Sequence, residues 1–408
     1  FFTQNTLGDF EKREFCQLRR DLVGCETALI KVQNDILEAI DGRKCVLLVL
    51  LDLSAAFDMV DHERLLHLLA ERIGLCGTAL EFRNYLSDRV QSVIIDGVES
   101  DLWNFLFGVP QGSVLGPILF IIYTSPLGDI VRKYGINFHL YADDTQLYLS
   151  FNVNETQDAF SQIESCIAEN RSWMALNFLK LNDSKAEVLL IGFTQMKKNM
   201  PFQNLTIGQD TIAPSETARN IGAIFDSHML MRDHISQVCK GAWYHLKQIG
   251  QIRDYLDPDA AATLMHSFVT SRLDNFNSLL YGVPSNQIVK LQRVQNAAAR
   301  IVTRSRKSEH ITPVLRKLHL LPVIKRIDYK ILLLTFIALR GLAPKYIQDL
   351  IKVSSKSRCL RSNTQNLLIV PKTSLARYGD RSFSFAAPSL WNKLPAECRE
   401  AKTLDSFK

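Results

Sequence analysis

The chain has 408 residues, 47% apolar and 22% charged, with 48 Lys and Arg against 42 Asp and Glu. That composition excludes disordered and collagen-like architectures, and the length suggests two or three domains, each able to bury its own core. The net charge of +6 hides an asymmetry: 21 acidic and 13 basic side chains in residues 1–150, 21 acidic and 35 basic in residues 151–408. A basic half joined to an acidic one points to a polyanionic partner, with cations needed wherever the acidic half meets it. The plainer alternative is two solvated surfaces of opposite sign. The first residue is Phe1 rather than Met, so the sequence reads as a fragment of something longer. Its longest apolar runs, Val46–Leu51, Ile118–Tyr123 and Ile331–Leu339 with Thr335 inside it, fall far short of the ~20 residues that span a bilayer. They predict core elements and no membrane partner. The eight cysteines show no Cys-x-x-Cys pair and no zinc spacing, and the expected compartment is reducing and intracellular.

In chain order, residues 27–40 carry apolar side chains at helical spacing and end at Asp41-Gly42. Cys45–Leu53 is a continuous apolar run interrupted by Asp52, the pattern of a central strand buried on both faces. Residues 61–73 return to helical spacing, and 91–98 alternate like one strand. Gly108–Gly116 is a glycine and proline loop leading into the apolar 118–123. Residues 138–151 predict two strands flanking Ala142-Asp143-Asp144, a hairpin with two carboxylates at its tip. Residues 159–176 predict a helix and 185–193 a strand. Beyond about residue 215, amphipathic stretches at 233–252, 258–273, 287–303 and 323–340 predict a helical region, with Pro258, Pro284, Pro313 and Pro322 near the boundaries.

Asp52 alone reads best as a solvated turn residue, because a carboxylate at the end of an apolar strand is costly unless paired or metal-bound. Asp143 and Asp144 change that weighting. Adjacent carboxylates repel one another, and hard oxygen donors suit Mg²⁺. Aspartates on neighbouring strands could hold two ions a few Å apart, an arrangement that activates a hydroxyl and stabilises a leaving pyrophosphate. In the glycine loop, small residues let a flat ligand approach the backbone, and Gln111 is placed to face it.

Taken together these segments resemble reverse transcriptases. Leu51-Asp-Leu-Ser-Ala-Ala-Phe-Asp is similar to motif A, Gly108–Leu119 to motif B, Tyr141-Ala-Asp-Asp to motif C, and the run from Trp173 to Glu187 to motif D. The wording resembles non-LTR (LINE-type) retrotransposons of the Jockey/Rex kind. It extends through Ser271-Arg-Leu-Asp, Leu318-His-Leu-Leu-Pro-Val, Arg326-Ile-Asp-Tyr-Lys and the run from Tyr378 to Trp391. The resemblance implies an α+β polymerase right-hand palm, an antiparallel sheet with packed helices of split βαβ type. It implies residues 1–40 as a remnant of fingers, 41–215 as palm, 216–345 as a helical thumb and 346–408 as a C-terminal extension. It implies RNA-directed DNA synthesis by two-metal nucleotidyl transfer, with an RNA template, a DNA primer, deoxynucleoside triphosphates and two Mg²⁺ ions, or Mn²⁺ in their place. Expected localisation is nuclear at the site of action, with a cytoplasmic stage.

Carried over by position, Asp52, Asp143 and Asp144 are the implied metal triad, with the Leu53 carbonyl touching a metal. Phe57 stands where the family excludes a 2′-hydroxyl, although a core phenylalanine is the plainer reading of its composition. Gln111 and Gly112 line the nucleotide pocket, Tyr141 supports the metal hairpin, and Lys185 takes the motif D position beside the leaving pyrophosphate. Arg300, Arg304, Arg306 and Lys307 form the densest basic cluster and are the expected nucleic-acid contact. The sequence departs from the family in Lys185-Ala-Glu, where the usual wording is Lys-Thr-Glu, and in Leu18–Cys25. Few residues precede motif A, so the expectation is an N-terminally truncated enzyme. The alternatives are a catalytically dead remnant that only binds nucleic acid, or a cellular polymerase with a related palm, against which the C-terminal wording argues.

Overall fold

In this computed structural model the described residues are 24–407, apart from 75, 76, 78, 88, 111, 199, 202 and 355–365. Gln111 and residues 1–23 of the expected fingers remnant therefore lie outside them. Chain order runs α1 (Cys25–Asp41), β1 (Cys45–Leu51), β2 (Leu53–Ser54), α2 (His62–Ile73), α3 (Gly116–Lys133), β3 (Asn137–Tyr141), β4 (Asp144–Phe151), α4 (Thr156–Leu176), β5 (Lys180–Leu181) and β6 (Glu187–Ile191). There follow α5 (Arg232–Ile252), α6 (Ser285–Thr303), α7 (Val323–Leu339) and α8 (Phe383–Trp391), with shorter elements between. The described chain divides into two compact units. The first takes in Leu47–Leu190 and Lys198–Ser215; the second takes in the residues up to Val46, Ile191–Lys197 and those from Glu216 on.

The first unit is built on a four-stranded sheet of order β6-β1-β4-β3. All seven residues of β1 are buried, as its unbroken apolar run requires. β3 and β4 form an antiparallel hairpin with Tyr141 opposite Asp144. Helices α3 and α4 pack on it. α3 carries Pro126 in its interior, where the missing N–H would orphan the Ile122 carbonyl. The Ser125 hydroxyl donates to that carbonyl at 2.8 Å, so the helix continues through the proline. The stretch 91–98, expected as one strand, is instead the tip of a hairpin. Ile94–Ile95 pairs with Val98–Glu99 across Asp96-Gly97, both at positive φ (52° and 81°). An Asp-Gly turn reverses the chain, and the alternating pattern simply runs across it.

The second unit is mainly helical, carries the short hairpin of Thr217–Asn220 with Ala223–Asp226, and includes α1. The apolar positions of α1 face its core, and its buried polar side chains are matched. Gln33 donates to the Leu279 carbonyl at 3.0 Å, and Asn34 accepts from the Ser384 backbone N–H at 2.9 Å. Asp41 accepts from the backbone of Ser374 and Leu375. The C-terminal wording thus has a structural use: Arg326 grips Asp274 with two hydrogen bonds, Lys330 pairs with Glu26 at 3.1 Å, and Trp391 is buried. The predicted helix over 258–273 is continuous but contains a π turn at His266–Thr270. Helix α8 and the hairpins between 205 and 226 carried no sequence expectation. The α+β expectation holds. No helix among the described residues is long and apolar enough to cross a membrane.

Candidate active site

Asp52 follows the last residue of β1, and Asp144 opens the neighbouring strand β4. Between Tyr141 and Asp144 the chain reverses through Ala142 and Asp143, with Ala142 held at φ 53°. A left-handed alanine is strained by about 1–2 kcal/mol, and the paired strands on either side must supply that. The result is three carboxylates at one end of the two central strands. Burial first, and then the Asp143 and Asp52 carboxylates, push the Asp144 carboxyl up to about 6; the Lys185 ammonium pulls it the other way.

Lys185 arrives there by a two-residue ladder. β2 and β5 pair as Leu53 with Leu181 and Ser54 with Lys180, and the Asn182 backbone N–H donates to the Asp52 carbonyl at 2.9 Å. A short 3₁₀ turn, Asp183–Lys185, follows. It sets the Lys185 ammonium 2.8 Å from Asp52 Oδ2. The hydrogen bond to Asp52, and then its charge, raises the lysine above its ordinary value. Asp183 of the same turn is engaged by Arg171. Sequence reasoning read the motif D run but not strand β5 or Asn182, which position the lysine. Leu181 opposite Leu53 is an apolar pair 128 positions apart, and nothing local signals it.

The glycine loop packs against the turn after β2. Phe57 lies in the 3₁₀ segment Ala56–Met59, half-buried, with its ring stacked on Phe120 at 4.5 Å. Its carbonyl accepts from Val109 N–H at 2.9 Å. Gly108 (φ 88°) sits so close that a Cβ would come within 2.9 Å of the Asp58 Cα. Gly112 is also left-handed (φ 82°), but around it there is open space, the condition for backbone approach by a ligand. Tyr141 is half-buried at the end of β3. Asp52, Leu53, Phe57, Gly112, Tyr141, Asp143, Asp144 and Lys185 all fall in the first unit. The basic cluster lies in the second, at the end of α6: Arg304 is the left-handed residue after the helix and pairs with Asp254 at 3.5 Å, and Arg306 and Lys307 are exposed.

Residues 12–224, just over half of the chain, match the family described as reverse transcriptase (RNA-dependent DNA polymerase). The chain belongs to that family. It is 32% identical over 153 residues to the RNA-directed DNA polymerase from mobile element jockey of Drosophila melanogaster, an alignment covering 34% of this chain and 16% of that protein. It is 24% identical over 287 residues to the probable RNA-directed DNA polymerase from transposon X-element of the same organism, covering 67% of this chain and 30% of that protein. Among solved structures it is similar to apo telomerase from Candida tropicalis, with TM-score 0.40 and 11% identity over 82% of this chain and 54% of that one. The chain spans 16% to 30% of the length of these curated relatives.

The fit of divalent ions can be tested on the donor set. It is all hard oxygen, the Asp143 and Asp52 charges add to burial in raising Asp144, and it already carries one cation, the Lys185 ammonium. Among the described residues no three His, Cys, Asp or Glu side chains converge on one ion position as they now stand. The chemistry fits, and the cluster is open.

Proposed function

We propose that the first unit is the polymerase palm of an RNA-directed DNA polymerase that adds deoxynucleotides to a primer 3′-hydroxyl on an RNA template. The observation that supports this most is the meeting of Asp52, Asp143 and Asp144 where β1 ends and the neighbouring β4 begins, in a chain belonging to the reverse transcriptase family. Asp52 and Asp143 would be the principal ligands of two Mg²⁺ ions, with Asp144 completing the set. Bound there, the ions supply Lewis-acid stabilisation of the charge on the attacking and leaving oxygens. Gly112 gives the incoming nucleotide open backbone to lie against. The Phe57 ring, braced by Phe120, bounds the sugar position, and Lys185 stands ready to meet the charge of the leaving pyrophosphate. Residues 216–345 would be the thumb, 346–408 an extension, and the basic cluster 300–307 a phosphate contact. The parent protein would act in the nucleus after a cytoplasmic stage.

Primer extension with Mg²⁺ on an RNA template tests the reading. Asp52→Asn should abolish extension, and an undiminished rate would refute the assignment. Phe57→Val should raise ribonucleotide incorporation relative to deoxyribonucleotide. It should also lower stability, because the stacked pair with Phe120 is lost. An unchanged discrimination ratio in the folded variant would leave Phe57 a packing residue alone.

A further inference from the structure

We propose that Lys185 is the resident counter-cation of Asp52, and that a divalent ion entering the carboxylate cluster must displace it, so that ion loading and release of the lysine are a single exchange. The inference rests on the reading of the three aspartates as an ion site. Four observations carry it. The ammonium lies 2.8 Å from Asp52 Oδ2, so one oxygen of a principal ligand is committed to it. Among the described residues no three His, Cys, Asp or Glu side chains converge on one ion position. The main chain on both sides of the pair is pinned, by the Leu53–Leu181 ladder and by the Asn182 N–H on the Asp52 carbonyl, so the exchange leaves the backbone in place. The lysine side chain, in contrast, is 67% exposed while Asp52 is 20% exposed, so a flexible four-carbon stem can swing to solvent without opening any packing. Metal and lysine compete for one carboxylate oxygen, and each lowers the affinity of the site for the other.

The consequence runs in both directions. Before loading, Lys185 keeps Asp52 oriented. After loading, the freed ammonium is held near the site by the same turn. Lys180 is the internal control, a lysine on the same strap whose backbone is paired with Ser54 and which is not hydrogen-bonded to Asp52.

The test measures Mn²⁺ binding to the 408-residue chain by electron paramagnetic resonance of the free ion, without nucleic acid or nucleotide. Removing one exposed charge-assisted hydrogen bond should tighten binding roughly three- to tenfold in Lys185→Ala, and less than twofold in Lys180→Ala. A second readout needs no variant. Acylation of wild-type lysines, followed by mass spectrometry, should show Lys185 labelling rise along the Mn²⁺ binding curve while Lys180 labelling stays flat. Equal tightening in both variants would reduce the effect to a diffuse field and overturn the exchange. Mn²⁺ binding with unchanged Lys185 labelling would overturn it as well. If wild type and Asp143→Asn bind Mn²⁺ alike, the ion-site reading fails first, and the exchange falls with it.

Discussion

Two hairpins of the first unit reverse the chain by opposite means. The ribbon around Asp96-Gly97 has ideal turn chemistry, with both central residues of a type that tolerates positive φ. Yet Ile95, Val98 and Trp103 are 68%, 73% and 69% exposed. The hairpin of β3 and β4 turns on Ala142, a poor residue for φ 53°, but β4 is inserted between β3 and the buried β1. The first is locally favoured and globally unsupported; the second is locally strained and held by tertiary structure. Strain and packed charge sit where the sheet can sustain them, and they coincide with the carboxylates.

The largest expected difference between the hairpins is in activity. Asp143→Asn keeps the shape of the strained turn and removes one charge, and primer extension should fall at least about a hundredfold. Asp96→Asn makes the same exchange in the other turn and should leave the rate unchanged; a loss there would end the functional contrast.

Next in size is the proton on Asp144. In the folded chain it is held to about pH 6, whereas an aspartate in the unfolded chain releases it near 3.9. Between pH 4 and 6 the folded state therefore binds more protons, so wild-type stability falls as pH rises through that window. Asp144→Asn removes this cost. It should stabilise the ion-free chain by about 1–2 kcal/mol at pH 7 and by nothing near pH 4. Thermal melts across that range would expose a wrong sign, and a pH-independent gain would remove the electrostatic explanation.

Backbone strain gives a smaller effect. Ala142→Gly should raise the global melting temperature by the equivalent of about 1 kcal/mol, because the β3–β4 hairpin unfolds with its sheet. Gly97→Ala meets no atom within 4 Å, so only its φ of 81° is strained. Amide exchange over 90–104 should quicken about fivefold with the melting temperature unmoved. A fall in melting temperature would show that the ribbon is part of the cooperative core.

The smallest effect is expected from Ile95→Thr on the exposed ribbon, within about 0.5 kcal/mol of wild type. A loss of 2 kcal/mol would mean that Ile95 is packed after all.

The carboxylates were legible in the sequence because each depends on a local pattern: an apolar run that fixes β1, and two short strands that fix a hairpin. Helix starts at Pro258, Pro284 and Pro322 were legible for the same reason, since a missing N–H and a fixed φ act within one turn. The turn at Asp96-Gly97 was written in the sequence too, but the alternation on both sides masked it. Only the tertiary structure decided the strand order that places Asp52 beside Asp144, the two-residue ladder that delivers Lys185 to Asp52, and the grip of Arg326 on Asp274. These pairings join residues from 52 to 133 positions apart. Hydrophobic periodicity reports which face of an element is buried, not which partner covers it, so such contacts arise only when the whole chain packs.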